Sequence, residues 1–159
     1  MPGPFTGRTE CHGQIVAGLR AAIGLGAREM WWVAPDFCDW PVESEALLSD
    51  LGRWARSGRS GLHWVADDFD RLRRHRPRLV AWRQRYAHVL SCRRPDAVAA
   101  ADLPTLLLVD DRWLLRVNDP LRWRGRVSTD HADLRRAREQ VDALLQRSEE
   151  TFPVTTLGI

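Results

Sequence analysis

Aspartates supply most of the residues in this sequence whose types and spacing can do chemistry. Asp36 and Asp39 form one pair, Asp67 and Asp68 a second, and Asp110 and Asp111 a third, each just after a short apolar run. If the first two runs are neighbouring parallel strands, Asp36, Asp39, Asp67 and Asp68 lie past their carboxyl ends, where open α/β sheets bind ligands. Carboxylates gathered there can hold Mg²⁺ for phosphoryl or phosphodiester chemistry. The same residues are good loop formers, and Asp39 and Asp68 are also placed to cap the helices that follow. Asp110 and Asp111 fit a hairpin turn, in which Asp tolerates an unusual φ and bonds its own backbone.

A second cluster is basic: Arg71-Leu72-Arg73-Arg74-His75-Arg76-Pro77-Arg78. On a helix, Arg71, Arg73, Arg74 and Arg76 leave an arginine-rich face. Such a face can grip nucleic-acid phosphates without reading bases, or it can stay solvated with its stems over apolar neighbours. Among the eight tryptophans, Trp31, Trp32, Trp64 and Trp113 sit on strand-like runs and belong to the core. Trp40 and Trp123 fall in loops beside Asp39 and Arg122/Arg124. Those two, with Arg124, are the aromatic candidates for a binding surface.

Other chemistries lack their residues. All 24 basic side chains are Arg, so no lysine Schiff base, lysine general base or phosphate-gripping lysine exists. Cys11, Cys38 and Cys92 are odd in number and lack zinc-ligand spacing, which fits reduced thiols in the cytoplasm. Cys11-His12 has no second signal of a thiolate nucleophile, and His75 and His131 have no carboxylate orienter nearby in sequence. There is no Gly-x-Ser-x-Gly elbow, no glycine-rich phosphate loop and no implied cofactor or metal. No run approaches the ~18 apolar residues of a membrane span. A net charge of +3 and a pI of about 9.2 permit contact with phosphates without requiring it.

The elements that must position these residues read as one domain over residues 10–159, behind a loose arm at 1–9. A helix is expected over Glu10–Gly26, a strand over Met30–Ala34, a helix over Glu43–Ser57 and a strand over Leu62–Ala66. Phe69–Ala87 should be helical in two pieces separated by Pro77, followed by a short strand over Val89–Cys92. Leu103 to Arg116 is the strongest apolar run and breaks at Asp110-Asp111, which predicts a hairpin in mid-sheet, covered on both faces. Gly125–Ser128 suggests an edge strand. A last helix starts at the N-cap Asp130 with Asp133 three residues on, and an apolar tail should dock on the body. The fold class expected is α/β, with a mixed, mostly parallel sheet, a central hairpin and helices on both faces.

With the hairpin placed, the chain resembles the phospholipase D-like domains, which carry His-x-Lys-x-x-x-x-Asp on such a strand. Asp110 matches the Asp, but Leu103 stands at the His and Thr105 at the Lys, so the nucleophile and its partner are replaced. The chain also resembles an uncharacterised bacterial domain related to that fold, found alone or behind acetyltransferase domains of the GNAT family. That likeness runs through Ala34-Pro35-Asp36, Asp39-Trp40, Ala66-Asp67, Arg78-Leu79-Val80 and Leu107 to Asp110, then Arg124-Gly125 and Gln146 to Glu150. The resemblance implies a phospholipase D-like half-domain with a degenerate site and no cofactor. It would act as a binding or regulatory module, as a homodimer or beside an acetyltransferase. Metal-dependent phosphate-ester hydrolysis through the Asp cluster, and weak nucleic-acid binding through the Arg71 to Arg76 face, are the alternatives.

Overall fold

A computed structural model describes residues 2–152. In chain order it contains β1 (Gly3–Phe5), α1 (Arg8–Gly24), β2 (Glu29–Val33), α2 (Glu45–Ala55), β3 (Gly61–Val65), α3 (Asp70–His75) and α4 (Pro77–Arg85). There follow β4 (Leu90–Pro95), α5 (Ala97–Ala100), β5 (Thr105–Val109), β6 (Trp113–Asp119), β7 (Arg124–Ser128), α6 (His131–Gln146) and β8 (Ser148–Glu150). The eight strands form one sheet in the order β1-β7-β6-β5-β2-β3-β4-β8.

The sheet is mixed but mostly antiparallel, which corrects the expected mostly parallel arrangement. Among the described residues only the β2–β3 and β3–β4 pairings are parallel, against five antiparallel ones. The cause is the link between β4 and β5. A parallel crossover needs a dozen or more residues with a helix to carry the chain back along the sheet. Here the link holds only the four-residue α5, capped by Asp96, whose carboxylate accepts from Ala99 N at 2.9 Å. The chain therefore stays at one end of the sheet, and β5 enters antiparallel to β2. The β5–β6 hairpin sits mid-sheet, as the apolar run predicts, with a three-residue turn between the paired Val109 and Trp113.

Helices cover both faces, unequally. Trp32, Trp64, Leu107 and Leu115 join one buried cluster with Leu19 of α1, Leu51 of α2, Leu72 of α3 and Leu79 of α4. Trp31, Val65, Leu106, Leu108 and Leu114 join a second, covered by Leu134, Ala137, Val141 and Leu144 of α6. Pro77 splits α3 from α4 as expected and serves as the first residue of α4. Asp130 caps α6, accepting from Asp133 N at 3.2 Å.

Two local readings change. The segment read as a loose arm contains β1, which pairs antiparallel with β7, so β7 is an interior strand and β1 is the edge. Three residues carry no periodicity, and only the partner defines such a strand. In the tail, Phe152 is buried against Phe69 with ring centroids 5.6 Å apart, and its carbonyl accepts from the buried Arg83 guanidinium at 3.3 Å. The rest of the apolar tail lies outside the described residues.

Glycine is required at position 125. A β-carbon there would overlap the Arg116 carbonyl oxygen of β6 and the Phe5 ring of β1, the strands on either side. Gly125→Ala is expected to destabilise the domain by about 1–3 kcal/mol through overpacking, read as a lower midpoint in chemical denaturation. An unchanged midpoint would show that β6 and β1 do not approach Gly125 this closely.

Candidate functional site

The parallel strands β2, β3 and β4 end together, and β5 begins at that same end of the sheet. The loops after β2 and β3 are latched to one another, since the Pro35 carbonyl accepts from Asp67 N at 3.2 Å and Asp68 N at 3.3 Å. This brings the first two aspartate pairs to neighbouring loops. The carboxylates, however, are individually engaged. Asp36 accepts from Cys38 N at 2.7 Å through one oxygen and from Arg71 at 2.9 Å through the other. Asp67 faces Arg94 at 3.6 Å, and Asp39 faces Arg8 at 3.9 Å. Asp68 accepts from Asp70 N at 2.7 Å, as a residue leading into a helix should. No group of three His, Cys, Asp or Glu side chains converges among the described residues.

The basic cluster is tied into the same loops. Arg71 holds Asp36, Arg76 donates to the Cys38 carbonyl at 2.8 Å, Arg73 pairs with Asp70 at 2.8 Å, and Arg74 donates to the Asp70 carbonyl at 3.4 Å. What reads as a run of exposed charge is in part a set of clamps on the 35–42 loop and on α3 itself.

The candidate tryptophans separate. Trp40 is 4% exposed and lies stacked on Trp32 at 5.4 Å, with Trp32 stacked in turn on Trp64 at 5.2 Å. This corrects its reading as a ligand-facing residue: Phe37, Trp40 and Val42 all turn inward, so the loop closes over the aromatic core. Trp123 is half-buried with φ 52°, edge-on to His12 at 5.1 Å and beneath the Arg8 guanidinium at 5.7 Å. Arg124 is exposed at the start of β7, opposite Asp119.

Thr105 opens β5 and Leu103 lies two residues before it, both half-buried at this same end, and Leu103 packs against the cluster beneath α6. Asp110 lies at the opposite end of the strand, with φ 47°. Its carboxylate accepts from Glu29 N at 2.8 Å and Arg28 N at 3.2 Å, and its own N–H donates to the Glu29 carbonyl at 2.9 Å. It splices the hairpin turn to the start of β2, which is a structural task.

Sequence reasoning missed His63, whose Nε2 lies 2.6 Å from the Glu29 carboxylate across neighbouring strands. Strand register alone joins residues so far apart in sequence. Burial pushes the Cys92 thiol up to about 12 and the Cys11 thiol up to about 11, so neither is a thiolate near neutrality.

Sheet, helices and the placement of β5 define an α/β domain with the phospholipase D-like fold. Over 95% of its length the chain is similar to 99% of the chain of NucT from Helicobacter pylori, with a TM-score of 0.65 at 11% sequence identity, a likeness of fold. More particularly, the chain belongs to the family described as a domain of unknown function, DUF7931, whose model matches residues 12–157. No curated protein matches it. No described helix is long and apolar enough to cross a membrane.

Two measurements probe this region. Asp110→Ala removes an acceptor from two backbone N–H groups and should cost about 1–3 kcal/mol in urea denaturation; a loss below a few tenths would show that the splice carries no stability. For His12, burial first and then the Arg8 charge lower the imidazole pKa, against the Asp39 carbonyl and carboxylate. The unfolded chain therefore takes the proton first, so this contribution is present above about pH 6.5 and is lost as pH falls toward the folded value. Between pH 7 and 5.5, His12→Gln should lose stability less steeply than the wild type. Parallel slopes would mean that His12 is not the titrating group.

Proposed function

We propose that this chain is a phospholipase D-like domain without phosphodiester hydrolysis, working as a binding or regulatory module. What supports the reading lies at the start of β5 and just before it. By the resemblance in sequence, Leu103 and Thr105 stand at the positions where the resembling domains hold their nucleophilic His and its Lys. A leucine has no lone pair with which to attack phosphorus, and a threonine hydroxyl brings no positive charge to a phosphoryl oxygen. Leu103 instead contributes apolar surface to the cluster under α6. The partners this reading names are a second copy of the chain, as the pairing habit of the resembling half-domains suggests, or an acetyltransferase of the GNAT type.

A second reading, metal-dependent hydrolysis of phosphate esters through Asp36 and Asp67, draws support from the latch that makes their loops neighbours. Against it stand the arginines facing both carboxylates, which offset the charge a divalent cation would need.

The test pairs turnover with association. Bis(p-nitrophenyl) phosphate should be hydrolysed no faster than in buffer, with or without Mg²⁺ or Mn²⁺. Native mass spectrometry of protein drawn from its host lysate should show a homodimer or a defined protein partner. Metal-dependent turnover abolished by EDTA and by Asp67→Asn would replace this reading with the second one.

A further inference from the structure

The helices cover the two faces of the sheet unequally, and this leaves a cleft. On the side of α6, that helix packs over the central strands and leaves β6 and β7 partly open. Alternation along these strands sends Leu115, Val117 and Val127 into the opposite cluster. It therefore turns Arg116 and Asn118 of β6, with Arg126 and Ser128 of β7, toward the open side. With Leu114, they line a cavity of about 380 Å³ whose wall is Asp133, Arg136 and Gln140 of α6.

The charges in this cleft are unbalanced. Arg116 and Arg126 are direct cross-strand partners in the β6–β7 register. Like charges set opposite each other destabilise a sheet. Arg116 is half-buried, and among the described residues its side chain has no hydrogen bond and no carboxylate within 4.0 Å. The arginines of α3 differ in this respect: Arg71 and Arg73 are paired with carboxylates. Burial lowers the pKa of Arg116, with Asp133 opposing and Arg136 reinforcing.

Asp133 does not supply that anion. One of its oxygens accepts from Ser128 Oγ at 2.6 Å and the other from Arg136 at 2.6 Å. The Ser128 hydrogen bond, followed by that of Arg136, holds the Asp133 carboxyl below the usual carboxylate range, so it is ionised and balances one arginine of three. Two guanidinium charges remain, facing each other across a pair of strands. Guanidinium forks match phosphate oxygens in geometry and charge.

We propose that this cleft is a phosphate-binding site in which Arg116 and Arg126 grip a phosphate group, with Arg136 positioned by Asp133 at its rim. The site is independent of the residues at positions 103 and 105, because it binds rather than cleaves. The phosphate belongs either to a small phosphorylated molecule or to a nucleic-acid backbone, which present the same oxygens.

Calorimetric titration of the full chain with inorganic phosphate at low ionic strength tests the site. A labelled single-stranded oligonucleotide, followed by anisotropy, distinguishes the sources. Phosphate should bind, and Arg116→Met and Arg126→Gln should each weaken it at least tenfold while Arg73→Ala leaves it unchanged. Circular dichroism and thermal melting check that the variants fold. Phosphate should also raise the melting temperature of the wild type but not of Arg116→Met. An oligonucleotide that binds far tighter than phosphate, with its salt slope falling by about one per arginine removed, assigns the site to nucleic acid. An oligonucleotide no better than free phosphate assigns it to a small ligand. Absence of phosphate binding, or binding that survives both substitutions, overturns the proposal.

Discussion

Two adjacent tryptophans on β2 face opposite ways, and both halves of the core are assembled on them. Trp32 stacks between Trp40 and Trp64 on the side of α1 to α4, while Trp31 lies under the α6 side beside Val65 and Leu108. This follows from strand geometry, which sends successive side chains to opposite faces. A slip of one residue in β2 would exchange the two environments. The register is pinned at one end by Asp110, which grips the first N–H groups of the strand. At the other end the Pro35 carbonyl latches the next loop. Position and polarity of every other strand are set relative to this one.

That arrangement explains why residues with chemical potential have settled into structural work at the strand ends. Asp110 sits at the far end of β5 from Thr105, where it splices the hairpin turn to the start of β2. The loop carrying Asp36, Asp39 and Trp40 is drawn down by its aromatic residues, and its carboxylates are met by arginines from α1 and α3. The unbalanced charge lies elsewhere, on the part of the sheet that α6 leaves uncovered.

Much of the fold is legible in the sequence because its signals are local. The Asp130 cap, the Pro77 break and the apolar run ending at Asp110 each lie within a few residues of the element they define. Strand polarity is less legible. Alternating helices and strands suggest a parallel sheet, but the polarity of β5 depends on a link too short to carry a crossover. β1 could not be read, since three residues become a strand only beside β7. The candidate site is legible in its membership more than in its pairing. Asp36 and Asp67 do lie on adjacent loops, yet the partnerships of Arg71 with Asp36 and of His63 with Glu29 are tertiary facts. The Arg116–Arg126 pair left a trace in the alternation of β6 and β7, but the trace acquires meaning only when register sets the two side by side.

The outer strands have a consequence for how copies of this molecule can meet. Both described edges are three residues long. One carries Pro4, which has no N–H to offer, and the other carries Glu149 and Glu150. Short edges bearing proline or charge are poor templates for another chain's backbone. Strand addition at these described edges is therefore disfavoured, which favours assembly through side-chain surfaces, specific and finite, over backbone pairing, which has no natural stop.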